Sequence, residues 1–155
     1  EQDELSSSLE HIRLDFVAKD KESNEIVWKN KGVISLAEKM RGENKINYLA
    51  NNIIALLVTH IQGHIGYLYV KEKDKLILSG KFAGDKEYIS EELIVGEGLV
   101  GQVAKTKQTL KITDVPANYF KINSSLGQVT PKNIIIVPLV FNDVLEGVLE
   151  IGSIN

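Results

Sequence analysis

The chain of 155 residues contains no cysteine. It therefore has no disulfide framework, no thiolate nucleophile or metal ligand, and no site for a thioether-linked chromophore, and cysteine usage marks no redox compartment. Long apolar runs are missing as well, since none approaches the ~20 residues a membrane helix needs. The opening stretch EQDELSSSLE has neither a basic flank nor an apolar segment, so it does not read as a signal peptide. Excess positive charge is absent. The formal net charge is -3 and the pI is near 5.7, which argues against a nucleic-acid partner. There is no internal repeat and no low-complexity segment. Together these absences lead us to expect a cytoplasmic region with no direct membrane insertion.

What is present suits a globular domain. Apolar residues make up 43% and charged residues 25% of the chain, ordinary for a soluble fold long enough to bury a core. Residues 1–44 read as a helical arm and linker. Leu5, Ile12, Ile26, Val33 and Met40 share one heptad position, with Lys19 as the misfit. Leu9, Phe16 and Ala37 share the other, with Ser23 and Asn30 as misfits. That pattern predicts a coiled-coil seam and a homodimer through the N-terminal helices. An amphipathic helix folded onto its own domain is the alternative. The stretch KDKESN (19–24) has no apolar residue, and a break is expected there.

From residue 45 the pattern changes. Ile46, Leu49, Ile53, Leu57 and Ile61 recur at helical spacing, and Ala50, Ile54, Leu56 and Val58 widen the stripe, as for a helix lying on a sheet. Gly63 is expected to end that helix. Two strands follow, Ile65–Lys71 and Lys75–Phe82, in which Tyr67 and Tyr69 share one face and Leu68 and Val70 the other. A short strand is expected near Leu93–Val95, a helix over Gly98–Lys105, and a strand over Thr109–Ile112. Residues 113–132 read as a long loop with one or two helical turns. The chain closes with a hairpin of apolar strands turning at Asn142-Asp143. Ile134–Val140 is apolar throughout and so is expected to be buried on both faces. Gly147 suggests a bulge or the close approach of another backbone.

Gly96-Glu97-Gly98-Leu99-Val100-Gly101 spells G-x-G-x-x-G. A dinucleotide fingerprint also needs a strong preceding strand in a parallel sheet and an acidic residue ~20 positions on. The strand before it is short, Asp114 is too close, and the later strands form a hairpin. The glycines read instead as a tight backbone turn, with an anion at the helix N-terminus as the lesser reading. No nucleophile elbow, P-loop lysine or HExxH helix is present. His11, His60 and His64 do not make a metal set, because Gly63 separates the last two and a structural zinc needs about four ligands. No metal or cofactor is expected.

The motifs GEGLVGQVA (Gly96–Ala104), TDVPANY (Thr113–Tyr119), IIIVPL (Ile134–Leu139) and EGVLEI (Glu146–Ile151) resemble those of a GAF domain. The resemblance spans about residues 45–153. It implies an α+β fold with a central antiparallel sheet of five or six strands, helices on one face and a ligand pocket on the other. It also implies a closing C-terminal helix that this chain stops short of, so residues 45–155 are expected to form a GAF domain truncated before that helix. In such domains the segment equivalent to Thr113–Gln128 closes over the ligand. Asp114, Asn118, Tyr119, Asn123 and Ser125 are therefore candidate ligand-binding residues, with Tyr67 and Tyr69 as the sheet wall. Asp114 and Asn118 equally suit simple turn caps.

The function the resemblance implies is non-catalytic. It is that of a sensory domain which binds a small molecule and relays its state through dimeric helices to an output domain such as a histidine kinase. A ligand-free dimerisation or protein-interaction module is the alternative. Free methionine sulfoxide reduction and thioether bilin attachment, two activities of GAF domains, both use cysteine and are excluded here. The cyclic-nucleotide signature finds no convincing placement.

Overall fold

The computed structural model describes residues 18–32, 34, 46–84, 89–116, 122–124 and 127–155. The chain divides into two units, Glu1–Glu38 and Lys39–Asn155. In the first, residues 18–32 form helix α1. It runs unbroken through KDKESN, contrary to the expected break, because lysine and glutamate favour a solvated helix whether or not a seam is present. Ile26, Val27 and Trp28 are about half exposed along it.

In the second unit, α2 (Ile46–His60) is the wide-striped helix, with Ala50, Ile54 and Val58 buried. It ends where Gln62, not Gly63, takes the left-handed conformation, at φ 57°. The Gly63 N–H then donates to the Val58 carbonyl at 2.7 Å, a helix-terminating bond. Gly63 is needed for a different reason, since a Cβ there would lie 2.8 Å from Ile151 Cγ2.

The strands are β1 (Ile65–Glu72), β2 (Lys75–Phe82), β3 (Glu92–Ile94), β4 (Leu110–Thr113), β5 (Ile122–Ser124), β6 (Gly127–Val129), β7 (Asn133–Phe141) and β8 (Val144–Ser153), with helix α3 (Gly98–Thr106) between β3 and β4. Six of them form one sheet in the order β3-β2-β1-β8-β7-β4, and every pairing is antiparallel. The remaining two, β5 and β6, make a small antiparallel pair inside the segment expected to be a loop with helical turns.

Side-chain alternation gives the sheet two buried faces. On one, Leu68, Leu149 and Ile151 pack under Ala50, Ile54 and Val58 of α2. On the other, Ile65, Tyr67, Tyr69, Ile134, Ile136 and Val148 pack under Val100, Val103 and Ala104 of α3. The two-sided burial expected of β7 is met in part: Ile134 and Ile136 are buried on the α3 face, Ile135, Val137 and Leu139 are half-buried on the α2 face, and Val140 and Phe141 are exposed at the hairpin tip. The tip turns at Asn142 and Asp143, both at positive φ (46° and 62°), the geometry of a two-residue I′ turn. Opposite Leu139 the β7–β8 register slips, and a Cβ on Gly147 would sit 2.3 Å from the Tyr69 carbonyl oxygen.

Candidate functional site

The pocket that contains both predicted tyrosines lies on the α3 face of the sheet. Its floor is Tyr67 and Tyr69 of β1 with Glu150 of β8. Its walls are Ile89, Ser90 and Leu93 on one side and the start of α3, Glu97 to Val100, on the other. The pocket volume is about 230 Å³.

Local sequence builds each wall. The glycines of GEGLVG turn the chain sharply from β3 into α3, with Gly96 at φ 95° and Gly98 at φ 63°. The Gly96 N–H donates to the Gly101 carbonyl at 2.7 Å. Gly101 passes so close to β3 that a Cβ would lie 2.3 Å from the Ile94 carbonyl oxygen. β3 is only three residues long and pairs antiparallel with β2, so the G-x-G-x-x-G spelling has no parallel βαβ unit around it. The Leu78 N–H donates to the Glu91 carbonyl at 2.9 Å, and the Val95 N–H to the Asp74 carbonyl at 3.0 Å. These bonds tie the near wall to the first hairpin.

On the floor, Glu150 pairs in register with Tyr67 on β1 and with Ile136 on β7. It keeps partial exposure at the pocket, while burial on its other sides raises its pKa to about 7 from 4.5. Burial first, then the charge of Glu150 and the proximity of Tyr67, hold the Tyr69 hydroxyl above its ordinary range. Tyr69 therefore stays neutral. The Tyr67 ring also abuts the backbone at Gly84, where a Cβ would fall 2.4 Å from its Cε1.

A larger cavity of about 350 Å³ lies between Asn47 and Asn51 of α2 and Ile77–Lys81 of β2. The amide of Asn51 in its lining is already engaged on both sides. Asn51 Oδ1 accepts from the Lys81 N–H at 2.9 Å, and Asn51 Nδ2 donates to the Asn47 carbonyl at 2.8 Å. The smaller pocket is the better candidate because it gathers both tyrosines beside Glu150, a carboxylate of a central strand.

Of the sequence-predicted site residues, the structure brings Tyr67 and Tyr69 together. Asp114 sits exposed at the end of β4 in a left-handed conformation, φ 57°, and does not line that pocket. Asn123 lies in β5 opposite Gln128. Asn118, Tyr119 and Ser125 fall outside the described residues. At the described ends of the crossing, Val115 and Ile122 pack on the cluster that contains both tyrosines. Glu150, Glu97, Ser90 and Leu93 were not anticipated. A signal for Glu150 existed: a lone carboxylate inside VLEI, an apolar run of a central strand, has to face a covered side. Among the described residues no three His, Asp or Glu side chains gather as metal ligands. His64 Nδ1 instead lies 3.4 Å from Ser153 Oγ and 3.4 Å from the Ile154 N–H. Among the described residues no helix is long and apolar enough to cross a membrane.

No curated protein sequence matches the chain. Solved structures do. The GAF domain of a phosphoenolpyruvate-protein phosphotransferase from Coxiella burnetii is 16% identical, with 81% of this chain and 77% of that one covered at a TM-score of 0.65. A free methionine-R-sulfoxide reductase from Neisseria meningitidis, solved with its substrate, is 20% identical over 83% and 74% of the two chains, with a TM-score of 0.60. The nlh2 GAF domain of A. aeolicus, in an inactive state, is 17% identical over 80% of each chain, with a TM-score of 0.58. At these identities the likeness concerns the fold. The profile of the GAF domain family matches residues 45–155, so the chain belongs to the GAF domain family, a class of generally regulatory, sensory and ligand-binding modules of signalling proteins.

Proposed function

We propose that this GAF domain is the sensor of a cytoplasmic signalling protein, and that a small molecule binding beside Tyr67, Tyr69 and Glu150 sets its output. The observation that carries this is the pocket itself: two tyrosines of β1 and the Glu150 carboxylate under a wall built by a glycine turn. A site of a few polar groups in an otherwise apolar lining is what small-molecule recognition requires. The crossing that holds Asp114, Asn118, Tyr119, Asn123 and Ser125 acts as the lid.

The N-terminal heptads dimerise the protein, and the helices relay the state to an output domain, a histidine kinase being the first candidate. The ligand shifts the dimer only by the difference in its affinity for the two helix packings. The role is regulatory, not catalytic. A cysteine-based sulfoxide reduction would have no thiol here, because the chain contains no cysteine.

A thermal-shift screen of the chain against a metabolite library tests the reading. A ligand at 100-fold its Kd adds about 2.7 kcal/mol of stability, and that gain should vanish when Tyr67 and Tyr69 are both changed to alanine in a variant that still folds. A library without a hit would favour the second reading, a ligand-free interaction module. The exposed apolar tip of Val140, Phe141 and Val144 supports that alternative.

A further inference from the structure

The pocket beside the tyrosines carries charge of one sign. Its described lining holds two carboxylates, Glu97 and Glu150, and no lysine, arginine or histidine. Glu150 is the unusual member. It sits in a central strand on the same face as Val148, which is fully buried. Among the described residues its carboxylate has no hydrogen-bond or ion-pair partner. Burying a carboxylate unpaired is costly, so its partner is to be sought in what fills the pocket. Tyr67 stands directly across from it and Tyr69 one diagonal step away. An aromatic wall beside a carboxylate is the combination that attracts an organic cation, by ring quadrupole and by charge. The N-terminus of α3 also opens here and would favour an anion, but Glu97 at its N-cap sets a full negative charge against that partial positive one.

Resting on the sensor reading above, we infer that the ligand is a compact organic ammonium cation, held against Tyr67 and Tyr69 and paired with the carboxylate of Glu150. The volume of about 230 Å³ suits roughly eight non-hydrogen atoms at the ~30 Å³ one water occupies, the size of a small amine. Among the described residues the groups lining the pocket with Glu150 are Tyr67 and Tyr69 from β1 and Glu97 at the N-cap of α3, while its partner on β7 is Ile136. None supplies a competing positive charge. With Glu150 titrating at about 7, the cation must displace a proton, so its binding tightens as pH rises.

Choline, its neutral carbon isostere tert-butylethanol and the tert-butylacetate anion are close in size and differ in charge. Each is titrated into the whole nitrogen-labelled chain, following the amides of Tyr67, Tyr69 and Glu150 by NMR. Choline is expected to shift them and to bind at least about tenfold tighter than tert-butylethanol. Its affinity should rise between about pH 6 and pH 8 in the unaltered protein. Glu150→Gln should erase the preference while tert-butylethanol binding is kept. Equal or tighter binding of the neutral or anionic probe at these residues would overturn the cation and leave the sensor pocket standing. A preference that survives Glu150→Gln, or an affinity flat with pH, would overturn it too. Silence from all three probes also refutes the cation, and the metabolite screen then judges the sensor reading by itself.

Discussion

Glu150 on β8 stands opposite Tyr67 on β1, with Ile136 on its other flank, so a carboxyl occupies a largely apolar layer of the sheet. That placement has a consequence for stability. Its pKa is 4.5 when unperturbed and about 7 in the fold, so between those values the folded state holds more protons than the unfolded one. Stability from this group is complete below about pH 4.5 and is lost as pH rises through about 7, by about 3 kcal/mol at 1.36 kcal/mol per pKa unit. Glu150→Gln should remove that slope and be the more stable protein at pH 8, as read by urea unfolding at pH 5 and pH 8.

Two glycines should respond very differently to alanine. At Gly147 a Cβ would lie 2.3 Å from the Tyr69 carbonyl oxygen, and relief requires β1 and β8 to part. Gly147→Ala should cost about 3 kcal/mol, at the upper end for overpacking. At Gly98 a Cβ meets nothing within 4 Å, and only its φ of +63° penalises a side chain. Gly98→Ala should cost about 1–2 kcal/mol. Denaturant midpoints of the two variants decide the comparison, and equal losses would contradict it.

The β7–β8 turn offers a gain. Asp143 is held at φ 62° after Asn142 at φ 46°, where Asn-Gly is the preferred pair. Its carbonyl oxygen accepts from Lys107 Nζ, a bond that glycine would keep. Asp143→Gly should raise stability by about 0.5–1 kcal/mol, relief of left-handed strain partly offset by glycine's extra entropy, and show as a higher Tm.

The arm makes an independent prediction. Ile26 is a heptad seam residue, yet it is 52% exposed on the single helix. If two arms pair there, the chain sediments as a dimer and Ile26→Asp sediments as a monomer with the GAF domain still folded. A monomeric parent chain would dispose of the pairing.

The hairpins, the tyrosine face and the glycine turn were legible because each rests on a local rule. Alternation separates Tyr67 and Tyr69 from Leu68, and the Asn142-Asp143 pair announces its turn. The β5–β6 pair was not legible, because strands of three residues such as INS and GQV have too few positions to show a period. α1 was misjudged at KDKESN because apolar spacing reports a seam, whereas continuity of a solvated helix follows from propensity. Glu150 was passed over for a related reason. Its strand reads as largely apolar, and a motif match gives no account of a carboxylate set inside an apolar run. Asp114 was placed by motif resemblance, which locates a segment but not the direction of a side chain.

The strand order joins an early hairpin, β2-β1, to a late one, β8-β7, through the pairing of Ile65 with Gly152 and its neighbours. During synthesis β1 therefore waits with an unsatisfied backbone edge until nearly the whole domain has left the ribosome. Closure over so long a span of chain slows folding, and an open strand edge invites the wrong neighbour in the meantime.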